Sequence, residues 1–211
     1  MSPSSTDASV VATPLSPRRR ELLDAALHVI ADEGLKGLTH RAVDRRAGLA
    51  EGSCSAYWRT RSALQAALTE YVADALLADV DRLAEHIRSC GPDDDAGMQS
   101  ALELFLRWLD QRELLVARLE LTMAASRDAE LAQLLADHRA QLVTIVDTIL
   151  TAAGKEHGAE RAEALVASYD GLLLAALLRP AGTRREFLER SLELLGSSLA
   201  GVADQDASAE A

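Results

Sequence analysis

The sequence predicts an all-α protein, with an N-terminal three-helix helix-turn-helix domain followed by a larger helical domain. Three observations carry this. Aromatic residues are only 3% of the 211 residues, Ala and Leu dominate, and strand-like runs of Val, Ile and Thr are absent, which disfavours a sheet. Apolar residues recur at helical rather than alternating spacing from Leu22 onward. The stretch Thr39 to Leu64, THRAVDRRAGLAEGSCSAYWRTRSAL, reads as two short helices joined by a tight turn.

Met1 to about Ser16 is polar, rich in Ser, Thr and Pro, and reads as a mobile arm. Pro17 suits the first turn of a helix running to Glu33 and stopped by Gly34, with Leu22, Leu23, Ala26, Leu27 and Ile30 as its buried stripe. Arg18, Arg19 and Arg20 at its start read either as contacts to phosphate or a minor groove, or as a solvated cluster. In the next segment Thr39 supplies a capping hydroxyl, Ala42, Val43 and Ala47 recur at helical spacing, and Gly48 offers the positive φ that ends the helix. A second short helix restarts beyond it, with Glu51 near its positive end and small polar residues ahead of Tyr57 and Trp58. Arg41 and Arg45 lie four apart on one face, with Arg46, Arg59 and Arg61 nearby, as phosphate contacts require.

From Ser62 an amphipathic helix continues to about Ser89, with Leu64, Leu68, Val72, Leu76, Leu83 and Ile87 on one side. Cys90 to Gly97, rich in Asp, Gly and Pro, reads as an exposed turn. Further helices follow at about 98–110, 112–126, 128–153, 158–179 and 184–202, punctuated by Gly154, Gly158 and Pro180 to Gly182. The last two contain LVASYDGLLLAALL and FLERSLELLGSSLAGV, apolar around more of their circumference than one core-facing stripe needs. Either they bury everything within one subunit or a second subunit covers the excess, and the second reading is adopted.

Hydrophobic residues at 48% and charged residues at 26% fit a soluble globular chain. The formal net charge of −11 taken alone argues against nucleic-acid binding, yet residues 1–62 hold nine Lys or Arg against seven Asp or Glu, net +2. That leaves thirteen against twenty-six, net −13, for the rest. Acid is concentrated away from the candidate reader, so binding there would weaken steeply with salt. Cys54 and Cys90 suggest no disulfide framework. No stretch reaches the length of an apolar membrane span and the N-terminal segment lacks a signal-peptide core, so the cytoplasm is expected.

An enzyme reading finds little. His28, His40, His86, His138 and His157 are dispersed, with no metal-binding helix pair and no expected cofactor. Gly52 to Ala56 loosely imitates a nucleophile elbow but follows a helix where a strand is required. Cys54 reads as a packing residue or, near a helix start, as a thiol of lowered pKa able to sense oxidants.

Arg18 to about Val72 resembles the N-terminal DNA-binding domain of the TetR family of bacterial one-component regulators. The resemblance rests on Arg20, Leu22, Leu23, Ala25, Ala26, Gly34, Thr39, Val43, Ala47, Gly48, Leu49, Gly52 and Leu64, with Trp58 for the usual Phe and Arg61 for the usual Lys. Two positions depart: Ser55 stands where the family has a phosphate-reaching Tyr, with Tyr57 the candidate to take over part of that role, and Ala50 replaces a Ser or Thr cap. The resemblance implies a transcriptional regulator, expected as a homodimeric repressor released from a pseudo-palindromic double-stranded operator by a small hydrophobic or amphipathic effector. The alternative is a helical dimeric scaffold without sequence-specific DNA binding, which would not need the arginines around Gly48.

The implied organisation is a flexible arm at 1–16, a helix-turn-helix domain at 17–62, a regulatory and dimerisation domain at 63–203 and a disordered tail at 204–211. Expected DNA contacts are Arg18, Thr39, Arg41, Arg45, Ser53, Ser55, Tyr57 and Arg61. Expected ligand contacts are Trp108, Arg118, Met123 and His138, each of which also has an ordinary reading as core, paired or solvent-facing. The implied four-helix dimer bundle would use Leu165, Tyr169, Leu172, Ala176, Leu188, Leu192, Leu195 and Leu199, with Gly196, Ser197 and Ser198 permitting close approach.

Overall fold

The structure, a computed structural model, describes residues 15–90, 94–152 and 159–200, with side chains at all of these but 90, 94–96, 159 and 197–200. The expected arm before residue 15, the tail at 204–211, residues 91–93 of the expected Cys90 to Gly97 turn, Gly154, Gly158 and the side chain of Leu199 therefore lie outside the described residues, while residues 94–97 of that turn are instead the start of a helix.

Among the described residues every regular element is a helix: α1 (Pro17–Gly37), α2 (His40–Arg46), α3 (Ser53–Tyr57), α4 (Arg61–Cys90), α5 (Asp94–Asp110), α6 (Arg112–Ala125), α7 (Ala129–Ala152), α8 (Ala159–Leu177) and α9 (Ala181–Ala200). Ser16 caps α1, its hydroxyl accepting from the Arg19 amide, and Pro17 occupies the first turn where its missing N–H costs nothing. The regular helix breaks at Gly34, whose φ of 69° and ψ of −178° suit only glycine, and a last turn follows to Gly37.

α1, α2 and α3 form a small head over Leu22, Leu23, Ile30, Leu38, Val43 and Cys54, all 0–1% exposed. The first turns of α4 complete that core through Leu64 and Leu68, and the same apolar cluster continues into the body through Leu109, Leu121 and Leu188. Against the body, α1 packs on α6, and α4 runs along α7. A smaller cluster at the far end joins Val146 and Leu150 of α7 to Ala162, Leu165 and Val166 of α8. Asp79 of α4 is buried but answered: its Oδ2 accepts from Trp108 Nε1 at 2.7 Å and its Oδ1 meets Arg82, tying α4 to α5.

The dimer assignment needs correction. Leu165, Ala176, Leu188 and Leu192 are 0–3% exposed inside their own subunit, so they cannot meet a second one. Tyr169 packs there too, its ring edge-on to Phe105 at 5.3 Å. Leu172 and Leu195 are half-buried. Among the described residues, the large apolar side chains that α8 and α9 leave exposed are Leu174 and Leu194, with Leu178 just past the end of α8.

Candidate nucleic-acid interface and body cavity

In the head, geometry follows from satisfying the backbone at two short helices. Thr39 caps α2, its Oγ1 accepting from the Ala42 amide at 3.1 Å. Gly48 then turns the chain with φ 68°. α3 begins at Gly52, which has φ 96° and no side chain to cap with. Its N-terminal amides are instead held from below by Asp44 of α2, whose Oδ2 accepts from Gly52 N at 2.8 Å and Oδ1 from Cys54 N at 2.7 Å. Asp44 is 1% exposed, and a buried carboxylate is tolerated because both oxygens are answered by N–H groups of a helix start. This explains how the turn does without a Ser or Thr cap at Ala50.

Cys54 lies beneath α3, fully buried. Burial, and secondarily the charge of Asp44, push its thiol up from 9.0 to about 11. The oxidant-sensing alternative is thereby corrected: an inaccessible neutral thiol is neither nucleophilic nor easily oxidised.

The outer face of the head carries the expected contacts unevenly. Arg41 is exposed and meets exposed Glu51 at 3.0 Å, a pair weak enough in water to be exchanged for phosphate. Arg45 is exposed, and Arg18 pairs with Glu21 at 2.6 Å. Tyr57 is 39% exposed, with the guanidinium of Arg19 5.8 Å from its ring and 5.9 Å from that of Trp58. Trp58 itself is buried and its carbonyl lies 2.7 Å from His40 Nε2. Thr39 uses its oxygen as a cap, which leaves its hydroxyl proton available to donate. Ser53 and Ser55 differ: their hydroxyls donate to the carbonyls of Ala50 at 2.7 Å and Gly52 at 3.0 Å. Phosphate oxygens only accept, so either serine must rotate off its own turn to reach one. Arg61 is tied to the fold, donating through Nη2 to the Leu35 carbonyl at 2.5 Å.

That carbonyl belongs to the joint between head and body. The adjoining Leu35 amide donates to Glu120 Oε2 of α6 at 3.0 Å. A side chain on Gly34 would stand 3.7 Å from the same carboxylate.

The body holds a cavity of about 550 Å³ walled by α4, α5, α6, α7 and α8, with Gly196 of α9 also in the lining. Its wall is mostly aliphatic, with Leu76, Leu121, Leu142 and Val146 among the lining. Three expected ligand contacts reach it: Trp108, Arg118 and His138. Trp108 presents its ring, stacked on Phe105 at 5.8 Å, since its N–H is spent on Asp79. His138 Nδ1 lies 2.8 Å from the Leu134 carbonyl and Nε2 3.3 Å from Asp74. Met123 is corrected: it is 59% exposed and faces away from the cavity. Sequence reasoning missed Arg139 and Asp170, which join Arg118 in the wall. Asp170 Oδ1 accepts from Arg118 Nη2 at 2.5 Å and Oδ2 from Arg139 Nη1 at 2.9 Å. The signal was present in LVASYDGLLLAALL, where a lone carboxylate interrupts an apolar run and needs cationic partners.

Among the described residues no helix is long and apolar enough to cross a membrane.

None of the curated proteins matches this chain. Solved structures do. A transcriptional regulator from Rhodococcus sp. Rha1 is 26% identical with a TM-score of 0.74, over 88% of this chain and 97% of that one. A TetR-family member from Streptomyces coelicolor A3 is 28% identical with a TM-score of 0.62, over 83% and 98%. The multidrug binding protein EbrR, solved as a complex with ethidium, is 28% identical with a TM-score of 0.59, over 83% and 98%. Residues 22–68 match the bacterial regulatory proteins of the tetR family, and residues 92–197 match the tetracyclin repressor-like C-terminal domain. With its head and its body each matched in this way, the chain belongs to the TetR family of bacterial transcriptional regulators.

Proposed function

We propose that this protein is a homodimeric repressor, released from a pseudo-palindromic operator when a small hydrophobic or amphipathic ligand fills the body cavity. The observation that carries this reading is the double use of α6. Arg118, Leu121, Thr122 and Ala125 on it line the cavity, while Glu120 on it holds the Leu35 amide at the base of the head. A ligand that displaces α6 therefore changes the seat of α1. EbrR, similar in fold and solved with ethidium, supports a ligand-holding role for such a body. For a nearly complete switch the ligand must favour the released form by about 5 kcal/mol; equal affinity for both forms would shift nothing.

On this reading Arg41, Arg45, Tyr57 and the Thr39 hydroxyl face DNA with little rearrangement, Arg18 after leaving Glu21, and Ser53 and Ser55 after rotating. Arg61 contributes chiefly by fixing the head to α4. Leu174, Leu178 and Leu194, beside Leu172 and Leu195, supply the subunit contact. The protein acts in the cytoplasm and has no catalytic role.

The test is fluorescence anisotropy of a labelled duplex from upstream of the protein's own coding sequence, against a scrambled duplex at near-physiological salt. Preferential binding, reversed by a cavity-filling amphiphile and made less reversible by Glu120→Ala, is expected. Absence of binding to either duplex even at low salt would sink the repressor reading in favour of a helical scaffold.

A further inference from the structure

We propose that the cavity selects an anionic amphiphile: a carboxylate or similar anionic headgroup seated between Arg118 and Arg139, with an alkyl tail along the aliphatic wall. The inference rests on the ligand-binding reading above and specifies the chemistry of its ligand. Among the described residues the cavity lining holds two arginines, Arg118 and Arg139, one carboxylate, Asp170, one histidine, His138, and the phenol of Tyr169, whose proton is held more tightly by burial. Two guanidiniums share one carboxylate, each meeting a different oxygen of Asp170. The two guanidiniums and the one carboxylate therefore leave one net positive charge in the lining. Asp74, which His138 faces at 3.3 Å, does not line the cavity and is 70% exposed, so solvent screens it.

The three charged groups are themselves sheltered, with side chains 24% (Arg118), 38% (Arg139) and 33% (Asp170) exposed. In such surroundings an unbalanced charge is felt more strongly than on the surface. A cationic headgroup would have to compete with two fixed guanidiniums for a single carboxylate. An anionic one instead completes the unmatched charge, and the planar fork of arginine suits a carboxylate with two parallel N–H donors.

Position adds to charge. Arg118 is on α6, Arg139 on α7 and Asp170 on α8, so an anion at this point bridges α6 and α7 beside the carboxylate that α8 supplies. The rest of the wall is aliphatic, and at about 550 Å³ the cavity accommodates a tail of about twelve carbons. The headgroup site lies on the same face of α6 as Leu121 and Thr122, two residues from Glu120, so occupancy would be sensed at the head.

Isothermal titration of the full chain with dodecanoate, dodecyltrimethylammonium and dodecanol, each below micelle formation, tests this. Dodecanoate is expected to bind at least tenfold tighter than the ammonium, and octanoate at least tenfold weaker than dodecanoate. Arg118→Met with Arg139→Met should abolish the preference for the anion while dodecanol still binds. Should that double variant fail to fold, Asp170→Asn gives the opposite and independent signature, a several-fold larger preference for carboxylate over ammonium. Equal or tighter binding of the ammonium, or a preference unmoved in these variants, would overturn the assignment of charge and leave a cavity for uncharged ligands. If no probe binds, dodecanol included, the ligand-binding reading falls and this proposal with it.

Discussion

The head and the body solve the problem of a small helical core in opposite ways. In the head, α1 and the two short helices α2 and α3 close over side chains that are almost wholly inaccessible, and even the buried carboxylate of Asp44 is spent on two amides. In the body, five helices of 14 to 30 residues stand around about 550 Å³ of unfilled space with a charged cluster in its wall. Helices as short as α2 and α3 leave most of their backbone groups unsatisfied at their ends, so side chains such as Thr39 and Asp44 must answer them. Long helices satisfy themselves internally and can tolerate a gap between them. On the proposed function the difference would separate a DNA reader from a ligand sensor, and it can be attacked from either side.

The largest contrast should come from removing leucines. Leu22→Ala, at a site with no accessible surface, is expected to cost about 3–4 kcal/mol, whereas Leu142→Ala, beside the cavity, should cost about 1 kcal/mol because space is already there. Denaturant midpoints would check this, and equal costs would mean that the cavity closes in solution. Next, Asp44→Ala strands the Gly52 and Cys54 amides, a loss of about 2–3 kcal/mol. Amide exchange should then accelerate in α3 while α7 is unaffected, and a uniform change would make head and body one cooperative unit.

A smaller effect depends on pH. The folded protein holds the Cys54 proton up to about pH 11, against an ordinary 9.0. The unfolded chain therefore loses the proton first, so the contribution is fully present below pH 9 and is lost as pH rises towards 11. The drop should be about 2 kcal/mol, confined to the head, and absent in Cys54→Ala. Acidification should leave this contribution untouched. Least in energy, Arg45→Ala should lower DNA affinity modestly and reduce the salt slope by about one ion if the side chain meets a phosphate. An unchanged slope removes Arg45 from the interface.

What could be read in advance divides along the same line. Thr39, Gly48 and Pro17 act within their own turns, and such local rules are visible in a string of residues. Helical periodicity likewise placed every element in order, with boundaries shifted by a few residues. The role of Asp44 was hidden because its partners lie eight and ten positions on, across a turn whose shape must be known first. Periodicity also marked the apolar faces of α8 and α9 without saying which neighbour covers each. Leu188 and Leu192 thus looked available to a second subunit, although they are sealed within the first. Met123 failed for the same reason: an apolar residue on a helix points somewhere, but the direction of the cavity is a property of five helices together. Arg139 and Asp170 become a pair only once α7 and α8 are side by side.

The two tryptophans fall one to each region. Trp58 is packed in the head with the Arg19 guanidinium 5.9 Å from its ring, and Trp108 forms part of the cavity wall against Phe105. The protein therefore contains its own pair of optical probes. With Trp58→Phe the remaining emission reports cavity occupancy, and with Trp108→Phe it reports the state of the head. Comparing the two single-tryptophan proteins after rapid mixing with a ligand would show whether the head responds to occupancy of the cavity, and in what order, without any added label.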